Sequence, residues 1–126
     1  LYSFVDSNDV TSVVKTACDN SDVLYIPTDN TAASNAEAIN NVAQPAGVPI
    51  VAGEEGICAG CGVATLSINY YDLGVATGNM AVRILKDGED ISTMAIEYAP
   101  QFTKKYNVDL ADALGVTIPE DYVAIG

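Results

Sequence analysis

Cys58-Ala59-Gly60-Cys61 places two thiols three residues apart, a spacing that can serve disulfide exchange, a metal or a local disulfide. A structural zinc takes four ligands, and the chain adds only one further thiol, Cys18, and no His. A redox pair gains its low thiolate pKa at a helix N-terminus that follows a strand. Here the glycines around the pair predict a loop that leads into a strand. The pair is therefore read as inert thiols or a local disulfide, with catalytic redox or metal use as the rival.

Carboxylates and amides offer a second chemistry. In an open α/β sheet, ligands bind beyond the carboxyl ends of the strands. Three loops are expected at that edge: Asp6-Ser7-Asn8-Asp9, Thr28-Asp29-Asn30-Thr31 and Gly53-Glu54-Glu55-Gly56. Asp29 can offer a carboxylate to an ammonium group. Asn30 both donates and accepts. The first amides of a following helix can take a carboxylate. A zwitterionic amino acid needs both kinds of partner. The plainer alternative is that Asp29, Asn30 and Thr31 only cap the helix, and that Glu54 and Glu55 only solvate a loop. Tyr70 and Tyr71, between Asn69 and Asp72, can line a pocket with an apolar face and a polar tip, or pack under a loop.

These residues need elements to hold them. Leu1-Tyr2-Ser3-Phe4-Val5 reads as a strand. Val10, Val13, Val14, Ala17 and Cys18 fall at helical spacing. Val23 to Ile26 and Val48 to Ala52 are short apolar runs, the pattern of strands covered on both faces. An Ala-rich helix is expected over 32–43. The order β-α-β-α-β with short connections predicts a parallel sheet flanked by helices. Further along, strands are expected at 63–68, 95–98 and 105–108, and helices at 73–86 and 110–114. The last of these is to be capped by Asp109 and stopped at Gly115. Because Leu1–Val5 reads as the middle of an α/β alternation, the chain is expected to be a piece of a longer protein.

Composition narrows the function classes. The chain has 126 residues, 49% apolar and 17% charged, enough for a core and too little charge for disorder. It carries 5 Lys and Arg against 17 Asp and Glu, a net charge of -12. Nucleic-acid binding draws its affinity from cations on phosphates, so it is set aside. The absence of His removes a Ser-His-Asp triad. No apolar run reaches the roughly 18 residues of a membrane-spanning helix.

Several longer stretches carry a resemblance. Asp22-Val23-Leu24-Tyr25-Ile26-Pro27-Thr28-Asp29-Asn30-Thr31-Ala32-Ala33-Ser34 resembles the D-x-h-Y-h-P-T-D-N-T-x-x-S stretch (h apolar) of ABC-transporter substrate-binding proteins of the tryptophan and tyrosine type. Val48 to Gly56, Gly62 to Thr65, Asn69 to Gly74, Met80 to Gly88 and Ala113 to Pro119 are similar to that family in the same order.

The resemblance implies a type 1 periplasmic-binding fold, two α/β lobes closing on a ligand, of which this chain would be the C-terminal portion. Residues 1 to about 66 and 101 to 126 would form most of the second lobe, and about 67–100 the hinge and a first-lobe segment. It implies solute capture for import without chemistry on the ligand and without cofactor or metal, an aromatic amino acid being favoured. Asp29 would take the ammonium group, Asn30, Thr31 and Glu54 further polar contacts, and Asn69 and Tyr70 the hinge side. The partner would be an ABC permease. The location would be extracytoplasmic, as a membrane-anchored lipoprotein or a periplasmic protein. A sensor domain of the same fold and a thiol-redox or carboxylate enzyme are the alternatives. With the first lobe and the strand and loop that usually open the second lobe missing, self-association through helix 73–86 is expected.

Overall fold

The computed structural model describes residues 1–125. Six helices and five strands follow one another in the order α1 (Val10–Cys18), β1 (Leu24–Ile26), α2 (Asn30–Ser34), α3 (Ala36–Ala43), β2 (Ile50–Ala52), α4 (Glu55–Cys61), β3 (Ala64–Ile68), α5 (Tyr70–Leu85), β4 (Phe102–Tyr106), α6 (Val108–Leu114) and β5 (Val123–Ala124) among the described residues. The sheet order is β1-β2-β3-β4-β5. The pairs β1–β2, β2–β3 and β4–β5 are parallel, with Tyr25 opposite Val51 and Ala52 opposite Thr65.

The chain divides into two compact units. The first is Leu1–Ser67 with Thr103–Gly126, and the second is Ile68–Phe102. In the first unit the core joins Val10 and Val14 of α1, Ile39 of α3, Ile50 and Ala52 of β2, and Ile57 and Cys58 of α4. The apolar positions of α1 fall one helical face apart, so a single stripe meets α3. In the second unit α5 buries no residue. Arg83 ties the following segment to it, reaching Glu89 at 2.6 Å and Glu97 at 2.5 Å.

The structure corrects several expectations. Residues 1–5 form no strand, and 95–98 form none either. A strand exists only where a neighbour pairs its backbone, and the backbone groups of Leu1–Phe4 find no such neighbour among the described residues. The Ala-rich helix is two helices, broken at Asn35, whose backbone leaves the helical region. The strands are covered on one face only: Ile50 and Ala52 are buried, while Tyr25, Val51 and Leu66 on the other face are exposed. Asn107, not Asp109, caps α6, accepting the Leu110 amide at 3.2 Å. Gly115 ends that helix in the left-handed region, φ 65°, as expected of a glycine there.

Candidate functional site

The parallel order places the ends of β1 and β2 side by side, and the loops that follow are in close backbone contact. The Gly53 amide donates to the Ile26 carbonyl at 2.8 Å, and the Thr28 hydroxyl donates to the Gly53 carbonyl at 3.3 Å. A Cβ at Gly53 would stand 2.7 Å from the Thr28 nitrogen, so only glycine permits this approach. Asp29 follows one loop and Glu54 the other. Two carboxylates thus share the carboxyl edge of the sheet, where an open α/β fold binds ligands.

Each carboxylate has a local task. Asp29 caps α2, its Oδ1 accepting the Ala32 amide at 2.8 Å. Its Oδ2 accepts no hydrogen bond among the described residues, and the residue is exposed. Glu54 caps α4 with both oxygens, accepting the amides of Gly56 at 2.8 Å and of Ile57. Asp29 therefore keeps an oxygen for a cation, whereas Glu54 can contact a ligand only by sharing oxygens already engaged. The side chains of Asn30 and Thr31, at the start of α2, make no hydrogen bond among the described residues. The structure brings Asp29, Asn30, Thr31 and Glu54 to one edge of the first unit. Asn69 and Tyr70 belong to the second unit, where Asn69 caps α5 by accepting the amides of Tyr71 at 2.9 Å and Asp72 at 3.3 Å, and Tyr70 is exposed.

Lys105 and Asn107 were not singled out by the sequence. Lys105 of β4 donates to Glu55 at 2.7 Å, placing a cation beside the start of α4. Asn107 donates to the carbonyls of Cys58 at 3.3 Å and Ala59 at 3.0 Å, fastening α4 to the turn before α6. The scarcity of cations was the available signal for Lys105, since a basic residue among 17 acids meets a carboxylate readily.

The cysteines require a correction. Gly53 to Gly62 does not form a loop; residues 55–61 form helix α4, started by the Glu54 cap. Cys58 and Cys61 lie inside it as free, buried thiols, so the local disulfide is not formed. Burial, then Cys61, Glu55 and Glu54 nearby, push the Cys58 thiol up to about 12. Burial, then Glu54, push Cys61 up to about 11. A thiol held protonated and out of reach is a poor nucleophile. No cluster of His, Cys, Asp and Glu suited to a metal occurs among the described residues.

The sequence model for an ABC transporter substrate binding protein matches residues 2–125. The chain belongs to that family. Members of this family bind substrates rather than convert them. The chain is 30% identical over 108 residues to a tyrosine-binding protein of Clostridioides difficile, covering 86% of this chain and 31% of that protein. It is similar, at 34% identity and a TM-score of 0.72, to the ligand-free, open structure of a substrate binding protein with adhesive properties from Clostridium difficile, over 97% of this chain and 42% of the other. It is similar too, at 28% identity and a TM-score of 0.82, to an ABC domain in complex with L-Trp from Streptococcus pneumonia, over 98% of this chain and 44% of the other. The chain thus spans less than half the length of these relatives. The mostly parallel sheet with its helices is the periplasmic-binding type of fold that the resemblance implied.

Proposed function

We propose that this chain captures an amino acid, an aromatic one by preference, outside the cytoplasm for delivery to an ABC permease. In this reading, residues about 1–66 and 101–126 are most of the second lobe of a two-lobed binding protein, and about 67–100 its hinge and a first-lobe segment. The protein is a periplasmic component or a lipoprotein anchored to the membrane. No helix among the described residues is long and apolar enough to cross a membrane. The observation that carries the reading is the oxygen of Asp29 left open beside the β2 loop, a partner for an ammonium group. The names of the tyrosine-binding relative and of the L-Trp complex support the ligand class. Asn30, Thr31 and Glu54 add polar contacts on the same edge, and Asn69 and Tyr70 supply the hinge side. Calorimetry on the two-lobed polypeptide that contains this chain tests it. L-tyrosine or L-tryptophan should bind saturably and be recovered unchanged, with L-arginine and glucose silent. Heat from neither aromatic amino acid would refute the proposal.

A further inference from the structure

Gly53 has no side chain at the point where the loops after β1 and β2 meet. A Cβ there would stand 2.7 Å from the Thr28 nitrogen, 2.9 Å from the Pro27 carbonyl carbon and 3.1 Å from the Pro27 Cα. All three are backbone atoms, which cannot rotate aside as a flexible side chain does. Gly53 is not one of the glycines with positive φ, so the position demands space rather than an unusual backbone conformation. Pro27 and Thr28 are the two residues that lead into Asp29.

The chain on either side of that segment is fixed. Before it, the Ile26 carbonyl accepts from the Gly53 amide at 2.8 Å. After it, Ala32 of α2 is buried in the core. At the far end of α2, the Asn35 side-chain amide donates to the Thr31 carbonyl at 2.8 Å and to the Ser7 hydroxyl at 3.1 Å. Helix α2 therefore has no freedom to slide and make room. A displacement forced at Gly53 falls on residues 27–29, between two anchored points.

We propose that Gly53 is a positioning residue for the Asp29 carboxylate, acting through Asp29 rather than by contact with the ligand. Its missing side chain lets the open oxygen of Asp29 stand where an ammonium group meets it. The Thr28 hydroxyl secures the same approach from the other loop, donating to the Gly53 carbonyl at 3.3 Å. A misplacement of about 1 Å is enough to disable a chemically intact binding group. This role rests on the reading of Asp29 as the ammonium partner.

A double-mutant cycle on the two-lobed polypeptide proposed above tests it, read by calorimetry with L-tyrosine and L-tryptophan. Gly53→Ala should weaken binding by roughly tenfold in the parent, and by less than about threefold once Asp29→Asn is present. A merely structural glycine would cost the same affinity in both backgrounds. Melting curves show whether Gly53→Ala folds. If it does not, Thr28→Val decides: it removes the hydroxyl bond to the Gly53 carbonyl without added bulk, and should show the same dependence on Asp29 in smaller measure. Equal losses in the two backgrounds, or full affinity in whichever variant folds, would overturn the positioning role and leave the amino-acid reading intact. A parent that binds neither amino acid would overturn both.

Discussion

The Oδ1 atom of Asp29 holds the Ala32 amide at 2.8 Å, while the Oδ2 atom of the same carboxylate faces outward without a partner among the described residues. One side chain thus starts helix α2 and offers a charge at the strand end. The two roles separate by substitution. Asn is as good a helix cap as Asp, so Asp29→Asn should leave the melting temperature nearly unchanged. It removes the charge, and a hydrogen bond to a charged group contributes about 1.5–3 kcal/mol. On the proposed function, binding of L-tyrosine or L-tryptophan should fall by roughly ten- to a hundredfold. Asp29→Ala should lose that affinity and also about 0.5–2 kcal/mol of stability. Calorimetry and thermal melts on the pair of variants check both halves.

Gly60 should resist enlargement although it lies in a helix. Alanine ordinarily gains about 1 kcal/mol over glycine at such a position. Here a Cβ on Gly60 would stand 2.5 Å from the Cβ of Ala36, across the contact of α4 with α3. Overpacking costs about 1–3 kcal/mol, so the clash wins. Gly60→Ala should lower the urea midpoint, and adding Ala36→Gly should restore much of the loss. Full stability in the single variant would show that the two helices do not meet this closely.

The same glycine explains part of what the sequence concealed. Helix α1 was legible because Val10, Val14, Ala17 and Cys18 repeat at helical spacing. The end of α6 was legible because only glycine sits easily at the backbone angles of residue 115. Helix α4 was not legible: Gly56 and Gly60 argue for a loop, and only the Glu54 cap and the fit of Gly60 on Ala36 overrule them. Leu1–Val5 has the composition of a strand, but composition supplies no partner for its backbone. Of the residues singled out for binding, Asp29, Glu54 and Asn69 each cap a helix, and capping and ligand binding call on the same residue types. The capping became visible in the geometry. The open oxygen of Asp29 had no trace in the spacing.

The buried thiols set an alkaline limit on stability. Cys58 and Cys61 are raised from 9.0 to about 12 and about 11. Above pH 9 the unfolded chain releases these protons while the folded chain retains them, so unfolding is favoured increasingly as pH rises. The contribution of the thiols is complete below pH 9 and declines between about 9 and 12. Cys58→Ser with Cys61→Ser removes both titrations. The new hydroxyls can donate to the Gly62 and Ile57 carbonyls that the thiols now use, so folding and ligand binding should persist. Melting curves from pH 7 to 11 should fall less steeply for the double variant than for the parent. Parallel curves would mean that the thiols ionise as readily folded as unfolded.

Helix α5 should make the 126-residue chain associate with itself. It extends over 16 residues, none of them buried, and exposes Tyr71, Val75, Val82 and Leu85, the last at 85%. Water-exposed apolar surface is unfavourable by about 25 cal/mol per Å2, and an exposed apolar helix lowers that term by packing against a copy of itself. The net charge of -12 opposes association, so salt should strengthen it by screening. Sedimentation velocity at micromolar concentration should show dimers, more of them at 0.5 M sodium chloride than at 0.05 M. Val82→Glu with Leu85→Glu adds charge at two exposed apolar sites and disturbs no buried contact, so the double variant should sediment as a monomer with an unchanged melting temperature. Association that survives this double variant would place the contact elsewhere, and a parent chain that stays monomeric at both salt concentrations would refute the prediction.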